Sequence, residues 1–283
     1  MTPNRASCRP AGTVTEITSA REELPRAEAG PVRIAVAIPA HEEAELISSC
    51  VHAVLRAIAH AQRVGAADRA LVLVAAHRCT DETAARAREA MQRLPRQVAA
   101  IVVPDDGPGP VGAVRHRLVT RAAEHPWITP EAWVFSTDAD SRVPTDWVTG
   151  LLAAAQHSRA DAVAGLVALQ GWHADEAARA AYERIVAAGI HGSSHDHAYA
   201  ANLAVRLSAY TAVGGFPPAP HGEERELLQA LRAAGHTVAT PHAPIVLTSA
   251  RMPGRADHGL GALLAALAER EQHLPSLSEP VAG

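Results

Sequence analysis

From residue 33 onward the chain alternates continuous runs of Val, Ile and Ala with longer amphipathic segments, and few folds accept that pattern. The runs are RIAVAI (33–38), ALVLVAA (70–76), VAAIVV (98–103), AWVFS (132–136) and DAVAGLVAL (161–169). A strand that is apolar at every position must be covered on both faces, which is the condition of a mostly parallel central sheet with helices on either side. The intervening segments can supply those helices. Residues 42–62 carry Leu46, Ile47, Val51, Val54, Leu55 and Ile58 at helical spacing, and 80–93 opens with Asp81 and Glu82 at the positive end of a helix dipole. Pro144 and Asp146 open a third helix, in which Trp147, Val148, Leu151 and Leu152 face inward. The expected fold class is therefore α/β. Past about residue 170 the alternation loosens, and no internal repeat is visible.

With 283 residues the chain can bury a large core without staples. A formal charge of -4 and the lack of any Lys/Arg block argue against nucleic acid as a partner. Cys8, Cys50 and Cys79 form no CxxC pair, so neither a disulfide framework nor a structural zinc site is implied, and a reducing compartment fits. No stretch approaches the roughly 20 apolar residues of a membrane span, and the first residues lack an apolar signal core. The expected location is cytoplasmic, with peripheral membrane contact left open. Residues 1–30 and 272–283 mix Pro, Gly, Ser and Glu without periodicity and read as a disordered N-terminal tail and a flexible C-terminal one. The domain between them spans 31–271.

Neither GxGxxG after a strand nor GxxxxGK[ST] occurs, so phosphates must be held in some other way. The fourth run leads directly into Thr137, Asp138, Ala139 and Asp140. Two carboxylates one residue apart, at the carboxyl end of a buried strand, lie where open α/β sheets bind ligands. They are hard oxygen donors suited to magnesium or manganese, which keep sites for water and substrate phosphate. A polar turn capping the next helix would also look like this. The strand-end position favours a cation site, because like charges without a Lys neighbour are costly unless a cation relieves them.

Five segments in order resemble glycosyltransferase family 2, over about residues 32–260. IPAHEEAEL resembles the family's opening strand and turn, and HRCTDET its second-strand segment. VGAVRHRLVTRA resembles its GxxxARNxG helix, and STDADSRVPTDW its metal-binding strand end. ANLAVRLSAYTAVGGF with GEERELLQALRAAGH resembles its acceptor segment and the helix bearing the catalytic acid. The resemblance implies a GT-A fold, a nucleotide-binding half over 31–140 and an acceptor-binding half over 141–271. It implies a hexosyltransferase moving a sugar from a nucleoside-diphosphate donor, a UDP- or GDP-sugar, to an acceptor hydroxyl, with Mn2+ or Mg2+ as cofactor.

Residue by residue, the resemblance implies that Pro39, Ala40 and Glu43 border the nucleoside. Asp138 touches ribose or metal, and Asp140 holds the cation against the diphosphate. Glu223 and Glu224 stand where the family has Glu-Asp, one of them the general base, with Glu224 favoured. The sequence departs from the family in two places: His77 falls where an aspartate reads the base, and Glu224 is one methylene longer than the usual Asp. Arg251 and Arg255, in TSARMPGR, can add phosphate contacts. Arg115 either faces the nucleotide or lies on a solvated helix face. His258 is a candidate third metal ligand, with an ordinary exposed histidine as the plainer reading.

Inversion by direct displacement is the expected outcome, with a retaining transferase and a sugar-nucleotide-binding protein without turnover as alternatives. A nucleotidyltransferase is disfavoured, because AHEEAEL holds acids where such enzymes carry a Gly-rich basic loop. His191, His195 and His197 lack a fourth partner at zinc spacing and read instead as part of a mobile acceptor loop. The Ala-rich segment GLGALLAALAEREQ can cover the core, a second copy in a homodimer, or a membrane surface.

Overall fold

The computed structural model describes residues 32–251 and 260–272. Along the chain run β1 (Val32–Ala40), α1 (Ile47–Arg63), β2 (Ala67–His77), α2 (Thr83–Ala90), β3 (Val98–Asp105), α3 (Val111–Ala123), β4 (Trp133–Ser136) and α4 (Trp147–His157). Next come β5 (Ala162–Ala164), β6 (Val167–Gln170), α5 (Glu176–Ala188), β7 (Ile190–His191) and β8 (Ser194–His195). The chain continues through β9 (Leu203–Arg206), α6 (Leu207–Ala212), α7 (Glu223–Ala233), β10 (Val238–Ala239), β11 (Val246–Ser249) and α8 (Leu260–Gln272).

Seven strands form the central sheet in the order β10-β5-β9-β4-β1-β2-β3. All its neighbouring pairs are parallel except those of β9, which lies antiparallel to both β4 and β5. Side chains alternate across the sheet plane, as strand geometry requires. Ile34, Val36 and Ile38 of β1 pack on one face with Ile47, Val51 and Val54 of α1 and Trp147 and Leu151 of α4. Ala35 and Ala37 pack on the other with Val114 and Leu118 of α3 and Leu227 and Leu231 of α7. Both faces are covered, which is why these strands read as unbroken apolar runs.

The run 161–169, expected as one strand, is two. β5 joins the central sheet and β6 pairs with β11 in a separate two-stranded sheet. The break falls at Gly165, where a Cβ would come within 2.3 Å of the Asn202 side-chain nitrogen. Asn202 is wholly buried. It accepts from Trp147 Nε1 at 2.9 Å and donates to the carbonyls of Leu166 and Pro244, each at 2.8 Å. The Asn202 amide thus ties the break to α4 and to the segment before β11. The helices also start later than expected, at Ile47, Thr83 and Trp147, and short turns precede them. His191 and His195, expected in a mobile loop, lie on the β7–β8 hairpin. Among the described residues, no helix is long and apolar enough to cross a membrane.

Candidate functional site

Because β1, β2, β3 and β4 run parallel, their carboxyl ends open on one edge of the sheet, where loops can converge on a ligand. A cleft of about 810 Å3 lies there. Pro39, Ala40 and Glu43 border it from the end of β1, His77 from β2, and Asp138 and Asp140 from β4. Arg115 reaches it from α3, Glu223 and Glu224 from the start of α7, and Arg251 from beyond β11. The cleft brings together every predicted site residue among the described residues. His258 and Arg255 lie outside the described residues, as do the tail segments 1–30 and 273–283.

The acidic pair, read in the sequence as having no Lys neighbour, has two arginines beside it. Arg115 is 3% exposed and donates to both Asp138 and Glu223. Burial alone would lower its pKa, but Asp138, Glu223 and Glu224 outweigh that and hold it firmly charged. The solvated-face alternative for Arg115 is therefore excluded. Arg251, expected to reach for phosphate, donates to Glu43 at 2.7 and 3.1 Å and to Asp140 at 3.4 Å. Both arginines come from distant segments, so a search for nearby lysines could not reveal them.

Asp140 is held loosely. Its contacts to Ser141 Oγ, Thr248 Oγ1 and Arg251 are 3.4, 3.5 and 3.4 Å, longer than ordinary charge-assisted hydrogen bonds. Its pKa is pushed up to about 7, by burial first and then by Asp138 and Glu43, against the pull of Arg251. A buried carboxylate with long contacts and acidic neighbours suits a divalent cation. Among the described residues, no three His, Cys, Asp or Glu side chains converge in ligand geometry. Such an ion would draw on Asp138 and Asp140, with water and substrate oxygens completing its shell, as magnesium and manganese commonly do.

The two glutamates of α7 differ sharply. Glu223 is buried and tied to Arg115, whereas Glu224 makes no ion pair among the described residues. The Glu224 carboxyl is pushed up to about 7, by burial first and then by Glu223, with its own backbone N–H and Arg115 opposing. Gly222, with φ 73°, turns the chain into α7 in a conformation that side chains rarely adopt. Gly112 in α3 lets the two helices meet closely, since a Cβ there would lie 2.8 Å from Glu223 Cβ and from the Pro217 carbonyl.

At the far side of the cleft, His77 Nδ1 lies 2.8 Å from Asp105 Oδ2, and Arg117 grips the same carboxylate at 2.8 and 2.6 Å. Burial raises the Asp105 pKa, but the bonds from Arg117 and His77 prevail and hold it below its usual value. An ionised carboxylate only accepts, so Nδ1 is the donor and a neutral ring leaves Nε2 as an acceptor. Sequence reasoning missed Asp105 and Arg117. The strand-end position of Asp105 could have pointed to it, but the distance to Arg117 needed the fold.

His197 donates Nε2 to the Val186 carbonyl at 2.8 Å, because a backbone oxygen can only accept. Its ring centroid is 5.9 Å from that of His195. His191 faces Asp196 at 2.7 Å on the hairpin. Cys50 is buried and its thiol donates to the Asp138 carbonyl at 3.3 Å. Burial, then Asp140 and Asp138, push its pKa up, so it supports the acidic loop as an unreactive thiol.

A family model described as glycosyltransferase like family 2 matches residues 31–250. No curated protein sequence matches significantly. Among solved structures, the mannosyltransferase PcManGT from Pyrobaculum calidifontis, in complex with GDP-Man and Mn2+, superposes with a TM-score of 0.59 at 18% identity, over 79% of this chain and 59% of that one. TarS of S. aureus gives 0.53 at 10% identity, over 77% and 61%. GalNAc-T7 with UDP, GalNAc and Mn2+ gives 0.57 at 13%, over 86% and 48%. The chain spans about half to three-fifths of the length of these structures. At such identities the likeness concerns the fold, which is of the GT-A kind.

Proposed function

We propose a reaction for this chain from one premise: it belongs to glycosyltransferase-like family 2. It transfers a sugar from a nucleoside-diphosphate donor to an acceptor hydroxyl. The observation that carries this reading is the placement, along one cleft, of the loosely held carboxylate Asp140 and of Glu224, whose carboxyl is raised to about 7. Nucleotide sugars or their parts, with Mn2+, in the complexes of PcManGT and GalNAc-T7 support it.

Glu224 serves as general base. A carboxylate of raised pKa takes the acceptor proton more readily than an ordinary one, while remaining substantially ionised near neutral pH. Glu223 is spent on Arg115 and positions α7. A divalent cation, manganese or magnesium, held by Asp138 and Asp140 would offset the charge gained by the departing diphosphate. Arg251 then keeps Glu43 as its main partner and can turn toward phosphate oxygens. His77 presents Nε2 as an acceptor for a ring N–H of the nucleobase, a group found on uracil and guanine. The span supports this: β2 lies two strands from β4, and two steps of about 4.8 Å match the reach from diphosphate to base. With Glu224 taking the acceptor proton as the oxygen attacks, the transfer runs by direct displacement and inverts the anomeric centre.

The test is a thermal-shift series with UDP- and GDP-sugars, with and without manganese. A donor stabilises the wild-type protein by several degrees in a metal-dependent way, and Asp140→Ala loses the metal-linked part while staying folded. An unchanged shift in that variant would remove Asp140 from the site.

A further inference from the structure

Beyond Glu224 the cleft changes character. Its polar half holds the arginines and carboxylates described above. Its other half is walled by Tyr182, Ile185 and Val186 of α5, by Tyr199, and by Leu260 and Leu263 of α8, which packs against α5. Few large hydrophobic side chains of the described residues are exposed, and two of them, Ile185 at 42% and Leu263 at 36%, stand on this wall. Trp172 meets the Tyr182 ring edge-on with centroids 5.5 Å apart, so the aromatic surface is backed and fixed. Aliphatic side chains exposed together on the wall of a cleft mark a surface suited to an apolar ligand.

From this wall we infer that the acceptor is a small molecule whose hydroxyl sits on an apolar, aryl or alkyl body, the hydroxyl meeting Glu224 and the body lying against the wall that α5 and α8 form. The inference rests on the proposed reaction, because it takes Glu224 as the group the hydroxyl meets. A purely carbohydrate acceptor would call for hydrogen-bonding side chains along its length. Here His197 stacks on Tyr199 and gives its Nε2 to the Val186 carbonyl, and the α5 and α8 contributions to the wall are aliphatic apart from Tyr182. Tyr182 and Tyr199 suit a flat ring, while Ile185, Val186 and Leu263 suit its edges or an alkyl chain.

The experiment compares 4-nitrophenyl β-D-glucoside with methyl β-D-glucoside by equilibrium dialysis against the full chain, without donor. The two probes share every sugar hydroxyl and differ only in apolar body. The aryl glucoside binds on the order of tenfold more tightly, the gain expected when aliphatic and aromatic surface of this size leaves water. Ile185→Asp and Leu263→Asp, both at exposed positions, each cut that preference at least several-fold. Equal binding of the two probes, or a preference that survives both substitutions, overturns the inference. So does sedimentation with phosphatidylglycerol vesicles that both substitutions abolish while the aryl preference is absent, which would give the wall to a membrane surface. Hydrolysis of UDP- and GDP-sugars, measured separately, judges the reaction itself: its absence would refute the proposed transfer whatever the glucosides do.

Discussion

Glu223 and Glu224 are adjacent on one helix, yet the first is neutralised by Arg115 and the second is left raised. Two consequences of this difference are measurable. If Glu224 is the base, kcat falls as pH drops through about 7, and Glu224→Gln lowers kcat by about 10^2 to 10^4 while the donor still binds, as steady-state rates and a pH profile would reveal. The same shift acts on folding with a definite sign. A carboxyl whose pKa is raised from 4.5 to about 7 keeps its proton longer in the folded state, so stability declines as pH rises through that window. Glu224→Gln should therefore gain about 1–3 kcal/mol over wild type at pH 8 and nothing at pH 4, in denaturant titrations at the two pH values. The residue types at these positions were legible in the sequence because HGEERELL shows both acids before an amphipathic helix. The roles were not, since Arg115 lies 108 residues earlier in the chain.

At the level of elements, α3 and α7 are joined by Arg115 and brought close by Gly112, and the edge of the cleft depends on that proximity. Gly112→Ala adds one methyl where 2.8 Å separates it from Glu223 Cβ. Alanine favours the helix by about 1 kcal/mol, so overall stability should change little, whereas kcat should drop about tenfold as α7 is pushed off its register. A melting curve beside a rate would separate the two effects. Asn202 is the opposite case, a residue whose loss is felt in stability. Asn202→Ala orphans Trp147 Nε1 and the Pro244 carbonyl, while the Leu166 carbonyl keeps the Val246 N–H, at a cost of about 3 kcal/mol, or roughly 10 °C in Tm. β1, β2 and β4 were visible because both their faces are buried. The split at Gly165 was not, because a glycine inside an apolar run signals close approach without naming what approaches. β9 was hidden for a different reason: LAVR is too short to display a period.

At the scale of the whole molecule, the sheet gathers carboxylates and arginines at one edge, and the cleft there has a charged side and an apolar one. The charged side was largely readable in advance, since strand ends of a parallel sheet gather at one rim and their acids stand out in sequence. The apolar side was not, because Tyr182, Ile185 and Leu263 follow patterns that equally describe helices packed in a core. The position of β9 has a consequence for how the protein is made. β4 and β5 both pair with a strand that starts at Leu203, well after they have themselves been synthesised. Until the ribosome has delivered that later segment, β4 and β5 lack their common partner and leave hydrogen-bonding rims bare to their surroundings. The interval between translating residue 164 and residue 206 is thus the stage at which a nascent chain most needs shielding from its neighbours.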